Sequence, residues 1–394
     1  MQNAELNLHI LPIFTTKLLK MTKKKQNIPT LYSTQKIDFL KEPMFFGEGK
    51  NLQRYDVQKY PFYDKLSQRM LGYFWRPEEV SLLKDINDFN NLTEQERFIF
   101  TENLKYQILL DSVQGRSPFL TFGQVTTLPE VEEAVIIWDF FETIHSMSYS
   151  YIIKNVYPNP SEVFDEIMEN TMIQERAGAV TEKYNDFYRY LIMYQAQQLD
   201  MKGKEKITLK ELKKRLYLAL VSVNILEGVR FYVSFACAFA FAENKKMEGN
   251  AKIIKFIARD ENEHLAITIK MIRTLQKDEK EGFTDIIPEL EEEVYTLFKD
   301  AAEQEMRWAE HLFEKGSIIG LNSKLLIKYM KYLTDRRLKS IGLNPIYNEK
   351  TNPLSWMNNW LKNDSVEVLP QETEISSYVV GGIDMKATDE DFDF

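Results

Sequence analysis

An all-α helical bundle is the fold this 394-residue sequence predicts, on three observations. Long apolar stretches with helical periodicity run through 94–115, 128–156, 161–199, 209–242, 250–276, 285–315 and 322–340. Several open on a capping signal: Thr93, Thr127 and Thr208 each stand three residues before a Glu, so the Thr side chain can bind an orphan amide while the Glu reaches back. Finally, 15 Gly and 13 Pro are few for this length, and no alternating apolar/polar run demands a sheet.

The breakers between these stretches are Pro118, the pair Pro158 and Pro160, Gly249, Gly316 and the Gly342–Pro345 turn. Residues 1–35 read as a basic, poorly ordered leader, with Met21 as an alternative start. Residues 36–345 read as one helical domain without internal linkers, and 346–363 as an irregular segment with room for a short hairpin around 345–360. From Asp364 the periodicity stops and acids accumulate, so 364–394 is expected to be a disordered tail.

Composition narrows the function. The chain has 50 Lys plus Arg against 59 Asp plus Glu, a net charge of −9. An acidic surface does not gather phosphate backbones, so nucleic-acid binding is not expected. The acidity is local, because residues 364–394 hold nine acids and one base, and thus −8 of the −9. A single cysteine, Cys237, excludes a disulfide framework, a Cys-based zinc site and an iron–sulfur cluster, and it fits a cytoplasmic setting. The longest strictly apolar run, 231–242, is too short to span a bilayer, so no membrane is expected.

Only four histidines occur, and two share one pattern: Glu142-Thr-Ile-His145 and Glu261-Asn-Glu-His264. On a helix, residues three apart share a face, so each pair aims a carboxylate and an imidazole at one point. A lone acid in apolar surroundings precedes each pair, Asp111 in ILLDSV and Glu227 in NILEGV. If each helix folds back on the next, acid and Glu-x-x-His meet at similar depth in two hairpins. Buried unpaired carboxylates cost several kcal/mol each, which two bridged metal ions would offset. Four carboxylates and two imidazoles form the ligand set of a ferritin-like di-metal site and suit iron or manganese. Tyr149 lies on the same stripe as Trp138, Glu142 and His145. Phe231 and Phe235, four and eight residues after Glu227, and Ile257, four before Glu261, are apolar groups fit to seal a pocket around its phenol. The remaining histidines, His9 and His311, have no such partners.

At these residues the sequence resembles the radical-generating small (beta) subunit of class I ribonucleotide reductase, of the tyrosyl-radical di-iron type. The resemblance is carried by LKEPMFFGEGKNLQRYD (40–56), YFWRPEEV (73–80), NLKYQILLDSVQGRSP (103–118), ETIHSMSY (142–149), NILEGVRFYVSFACAFAFAE (224–243), EGNAKIIKFIARDENEH (248–264) and SSYVVGGID (376–384), and covers the chain from about residue 38 to its end. It implies two Fe ions per chain, with Mn the less favoured metal. Asp111, Glu142 and His145 would ligate one and Glu227, Glu261 and His264 the other, with Glu142 and Glu261 bridging. It further implies a radical on Tyr149 formed with O2 and an electron donor, and a protective pocket of Phe231, Phe235 and Ile257. Trp75, Asp260 and His145 would form a relay, with Tyr378 passing the radical to the large catalytic subunit; Glu79 and Glu372 are associated with the same relay. The implied partners are that large subunit, docked through the acidic tail, and a second copy in a homodimer. The implied product is deoxyribonucleotides. An O2-activating oxygenase or desaturase and a ferritin-like metal store remain the alternatives on the same bundle.

Overall fold

The computed structural model describes residues 34–47, 51–199 and 206–361; Tyr378, Glu372 and the 1–33 part of the leader lie outside the described residues, as does the tail. Twelve α-helices are described. They are α1 (Pro61–Gly72), α2 (Leu83–Asn90), α3 (Glu94–Gln114), α4 (Pro129–Val156), α5 (Pro160–Ile167), α6 (Thr171–Gln198), α7 (Leu209–Ile225), α8 (Tyr232–Glu243), α9 (Glu248–Lys277), α10 (Glu291–Leu312), α11 (Ser323–Ser340) and α12 (Met357–Leu361). No strand occurs among the described residues, which hold only two isolated bridges, Phe45–Thr126 and Ile318–Leu321. The bundle is all-α, as the periodicity predicts.

The helices that carry the doubled motif are the best specified. Thr93 makes the full capping box of α3, accepting from the Glu96 amide while Glu96 accepts from the Thr93 amide. Thr208 caps α7 by accepting from the Glu211 amide at 3.2 Å, but the Glu211 carboxylate goes to Arg215. Thr127 does not cap. The fixed φ of Pro129 opens α4 instead, Leu128 is the flanking residue, and the Thr127 hydroxyl accepts from the Gly47 amide at 2.8 Å. Glu130 is likewise diverted, accepting from the backbone amides of Lys59 and Tyr60. Both ends of the expected box serve the segment that leads into α1.

Two further expectations need correction. The stretch 161–199 is two helices, because Asn170 interrupts it; its side chain accepts from the Met172 and Ile173 amides and so starts α6 afresh. No hairpin forms around 345–360: the Asp335 carboxylate accepts from the amides of Ile346, Tyr347 and Glu349, taking the groups a strand pair would use, and α12 follows. Short helices α1 and α2 were not expected from periodicity at all.

Helix α3 pairs with α4, α7 and α8 pair with α9, and α4 packs on α9, so the two hairpins face each other. From Leu209 to Glu243 the chain is long and apolar enough to cross a membrane, but its most apolar window is fully buried inside the protein, as befits a core helix. This helix is not regular throughout. Residues Leu226–Arg230 form a π segment between α7 and α8, and Glu227 lies within it. Such segments hold an extra residue in one turn and recur at functional sites.

Candidate metal centre

The facing hairpins bring Asp111 (α3), Glu142 and His145 (α4), Glu227 (π segment), and Glu261 and His264 (α9) into one core, with every one of the six fully buried. Their ligand atoms fall into two groups: Glu142, Glu227, Glu261 and His264 in one, Asp111, His145 and Glu261 in the other. Glu261 is common to both. Its carboxylate lies 3.2 Å from His145 Nδ1 and 2.8 Å from His264 Nδ1. Glu142 also touches both imidazoles, at 3.3 Å and 3.1 Å. The two carboxylates thus span the pair of histidines from opposite helices, which is the placement a bridging ligand needs.

The donor set fits cations better than anything within the protein. Glu227 Oε2 and His264 Nε2 are buried without a hydrogen-bond partner, and Asp111, Glu142, Glu261 and His145 have little but one another and Tyr149 to satisfy them. Orphaned acceptors at this depth are costly, and two ions of the hard-to-borderline class accept lone pairs from carboxylate and imidazole alike.

Charge is balanced among these groups by protons. Burial, then the charges of Glu142 and Glu261, hold the Asp111 pKa well above the ordinary carboxylate range, and burial with Glu261 and Glu142 does the same to Glu227. Burial also pushes Glu261 and Glu142 up, but the two histidines outweigh it and hold both below their usual values. Burial opposes charge on the imidazoles; the carboxylates win, raising His145 well above its ordinary value and His264 to about 9. The shifts thus favour the protonated forms of Asp111, Glu227, His145 and His264 and the ionised forms of Glu142 and Glu261. Ligation requires those protons to leave. Binding of two divalent ions should release protons and tighten as pH rises, since the competing protons are lost through the raised values. Calorimetry with Mn(II) in buffers of different ionisation enthalpy checks this; release of none would contradict it.

Around the ligands the structure supplies donors that orient them. Trp138 Nε1 donates to Glu142 Oε1 at 2.8 Å, and its ring lies 5.6 Å from the His264 ring. Gln114 Nε2 donates to Glu227 Oε1 at 2.7 Å and accepts in turn from the Tyr184 hydroxyl at 2.7 Å. Gln114 stands three residues after Asp111, on the same face of α3, which is a signal the sequence offers; Tyr184 arrives from α6 and leaves none.

A second chain of contacts leads outward. His145 Nε2 lies 3.3 Å from Asp260 Oδ2, and the same oxygen accepts from Trp75 Nε1 at 2.7 Å. Arg259 holds the other Asp260 oxygen at 3.2 Å and donates to the Tyr73 carbonyl. Trp75 is buried, while Phe74 beside it is exposed, so this chain ends one residue from the surface. Glu79 ends a short 3-10 turn nearby in sequence and is half-buried.

Tyr149 lies on α4 one turn beyond His145, fully buried, with its hydroxyl directed to the Asp111 carboxyl. Burial, then the Asp111 charge, push its pKa well above the ordinary tyrosine value, so the phenol keeps its proton at rest. Phe231, Phe235 and Ile257 are fully buried as well, the two Phe rings stacked at 5.8 Å. Cys237 is a buried free thiol, pushed up to about 12 chiefly by burial, and so is inert.

Residues 54–353 match the family model described as "Ribonucleotide reductase, small chain". The chain is 50% identical over 370 residues to the ribonucleoside-diphosphate reductase subunit beta of Haemophilus influenzae, covering 92% of this chain and 98% of that one. It is 42% identical over 376 residues to the subunit beta of enterobacteria phage T4, covering 91% and 97%. Among solved structures, the ribonucleotide reductase R2 subunit from Clostridium botulinum superposes with a TM-score of 0.74 at 29% identity, over 86% of this chain and all of that one. A dimanganese(II) protein from Streptococcus sanguinis, at 19% identity and TM-score 0.62 over 79% of this chain and 99% of that one, shares the fold.

Proposed function

We propose a function from one premise: the chain belongs to the ribonucleotide reductase small-chain family, as a class I beta subunit of ribonucleoside-diphosphate reductase. Its task in that oxidoreductase is to keep an oxidising equivalent on Tyr149 and lend it to a large catalytic subunit, for conversion of ribonucleotides to deoxyribonucleotides. The observation that carries this reading is a fully buried phenol one helical turn from His145 and next to Asp111, beside a ligand set for two metal ions.

Asp111, Glu142, His145, Glu227, Glu261 and His264 would hold the metals, two per chain, and we assign iron, with manganese the alternative. The bound pair supplies redox chemistry with O2, and an electron donor completes its assembly. Oxidation of Tyr149 removes one electron and the phenolic proton, and Asp111 is the carboxylate whose charge that hydroxyl feels most. Burial keeps water and reductants from the ring, and we assign Phe231, Phe235 and Ile257 as its apolar pocket. The hydrogen-bonded series Trp75, Asp260 and His145 is the route by which an electron crosses between the surface and the centre.

The chain cannot finish the reaction alone. Reducing a ribose hydroxyl in this way requires thiols, and its one cysteine is buried with a raised pKa. The acidic tail with Tyr378 is the docking peptide for the large subunit, with charge aiding encounter, and the chain works as a homodimer. Deleting 376–394 should abolish turnover with the large subunit while the radical signal and metal content stay intact. Loss of the radical in the truncated chain would contradict that division of labour. Elemental analysis separates the ferritin-like store, which takes up many irons per chain.

A further inference from the structure

The π segment that carries Glu227 is held from outside by one residue the metal chemistry does not use. Arg337, near the end of α11 and only 8% exposed, donates through Nε to the Gly228 carbonyl at 3.0 Å, directly beside Glu227. Its Nη2 donates to the Tyr232 hydroxyl at 2.9 Å, and that hydroxyl donates to Asn262 Oδ1 at 3.1 Å, directly beside Glu261. One guanidinium fork therefore ties the irregular turn bearing one ligand to the helix bearing the shared ligand. The approach is close: a Cβ on Gly228 would lie 3.1 Å from Cδ and Nε of Arg337 and from Cδ1 of Leu265, so the turn leaves little room for a side chain there.

A π turn wastes backbone geometry relative to the α-helix on either side, and it persists where the surroundings over-determine it. We propose that Arg337 is a positioning residue for Glu227: it fixes the π segment by binding the Gly228 carbonyl and, through Tyr232, sets Glu227 against Glu261 for the second metal. The inference rests on the assignment of Glu227 as a metal ligand. Among the described residues Arg337 acts through its contacts to the Gly228 backbone and the Tyr232 phenol, so its removal should loosen one metal position and spare the other. Outer-shell partners of this kind change metal affinity by about 10–100-fold.

The test is a Mn(II) titration of the metal-free full chain, followed by EPR, which distinguishes spin-coupled from isolated Mn(II). Wild type should bind two ions with a coupled spectrum. Arg337→Gln should weaken one of the two by about 10–100-fold and show isolated Mn(II) at the remaining position. Arg337→Lys, which keeps one donor, should fall between. Tyr232→Phe, which leaves the Gly228 contact in place, should be milder than Arg337→Gln. Should Arg337→Gln not fold, Arg337→Lys, which cannot reach both the Gly228 carbonyl and Tyr232, carries the test and should show the weaker one-site loss. Two coupled ions at unchanged affinity in Arg337→Gln would overturn the proposal, as would equal weakening of both positions. Fewer than two ions in wild type would overturn the ligand assignment itself, which separates that failure from a failure of Arg337.

Discussion

Tyr149→Phe abolishes the radical EPR signal of the reconstituted chain and its turnover with the large subunit, while both metal positions still fill. The expectation follows from the site. Tyr149 is the phenol on the stripe of Trp138, Glu142 and His145, and the one group its hydroxyl is paired with is the Asp111 carboxyl. Losing one buried hydroxyl and its bond to Asp111 should change stability by only about 1 kcal/mol. Activity and stability should separate cleanly, which a structural role for Tyr149 would not allow. Metal analysis, EPR and thermal melting on one preparation read all three quantities. A radical signal of unchanged shape in Tyr149→Phe would place the oxidising equivalent elsewhere.

Glu261→Gln has the second large effect, and it acts on metal rather than radical. Glu261 is the carboxylate common to both ligand groups and contacts both imidazoles. Its amide isostere keeps the volume but loses the charge that bridges two cations. Metal affinity should fall by more than the roughly 100-fold seen for outer-shell changes, and at both positions. The metal-free variant should also be less stable than metal-free wild type. Glu261 and Glu142 raise both His145 and His264 against the effect of burial, and removing one partner of a buried ion pair costs about 3–5 kcal/mol at most. The imidazoles would respond by losing protons near neutral pH, which lessens that cost. Retention of two tightly bound metals in Glu261→Gln would contradict the shared-ligand geometry.

The parts of the site that were legible in the sequence are those encoded by helical spacing. Glu142 with His145 and Glu261 with His264 are visible because residues three apart share a face. Asp111 and Glu227 stand out as lone acids in apolar runs whose burial demands a partner. The structure brings all six together because consecutive helices fold back as hairpins, as that pattern requires. What spacing does not encode is which distant segment claims a given polar group. Thr127 and Glu130 have the spacing of a capping box, yet Gly47, Lys59 and Tyr60 take their side chains. Asn170 looks ordinary within a helical stretch until its side chain is seen to start a new helix. Nor does local sequence announce the π segment: periodicity across 209–242 reads as one regular helix, and the contacts that accompany the irregular turn come from Gln114, 113 residues before Glu227, and Arg337, 109 residues after Gly228.

The most direct test of the central claim is EPR with elemental analysis on the full chain reconstituted with Fe(II) and O2, prepared with ordinary and with ring-deuterated tyrosine. Storage of the oxidising equivalent on Tyr149 predicts about two irons per chain and an organic radical signal whose hyperfine structure narrows on deuteration. Two irons per chain without such a signal, or a signal that deuterated tyrosine leaves unchanged, would contradict it.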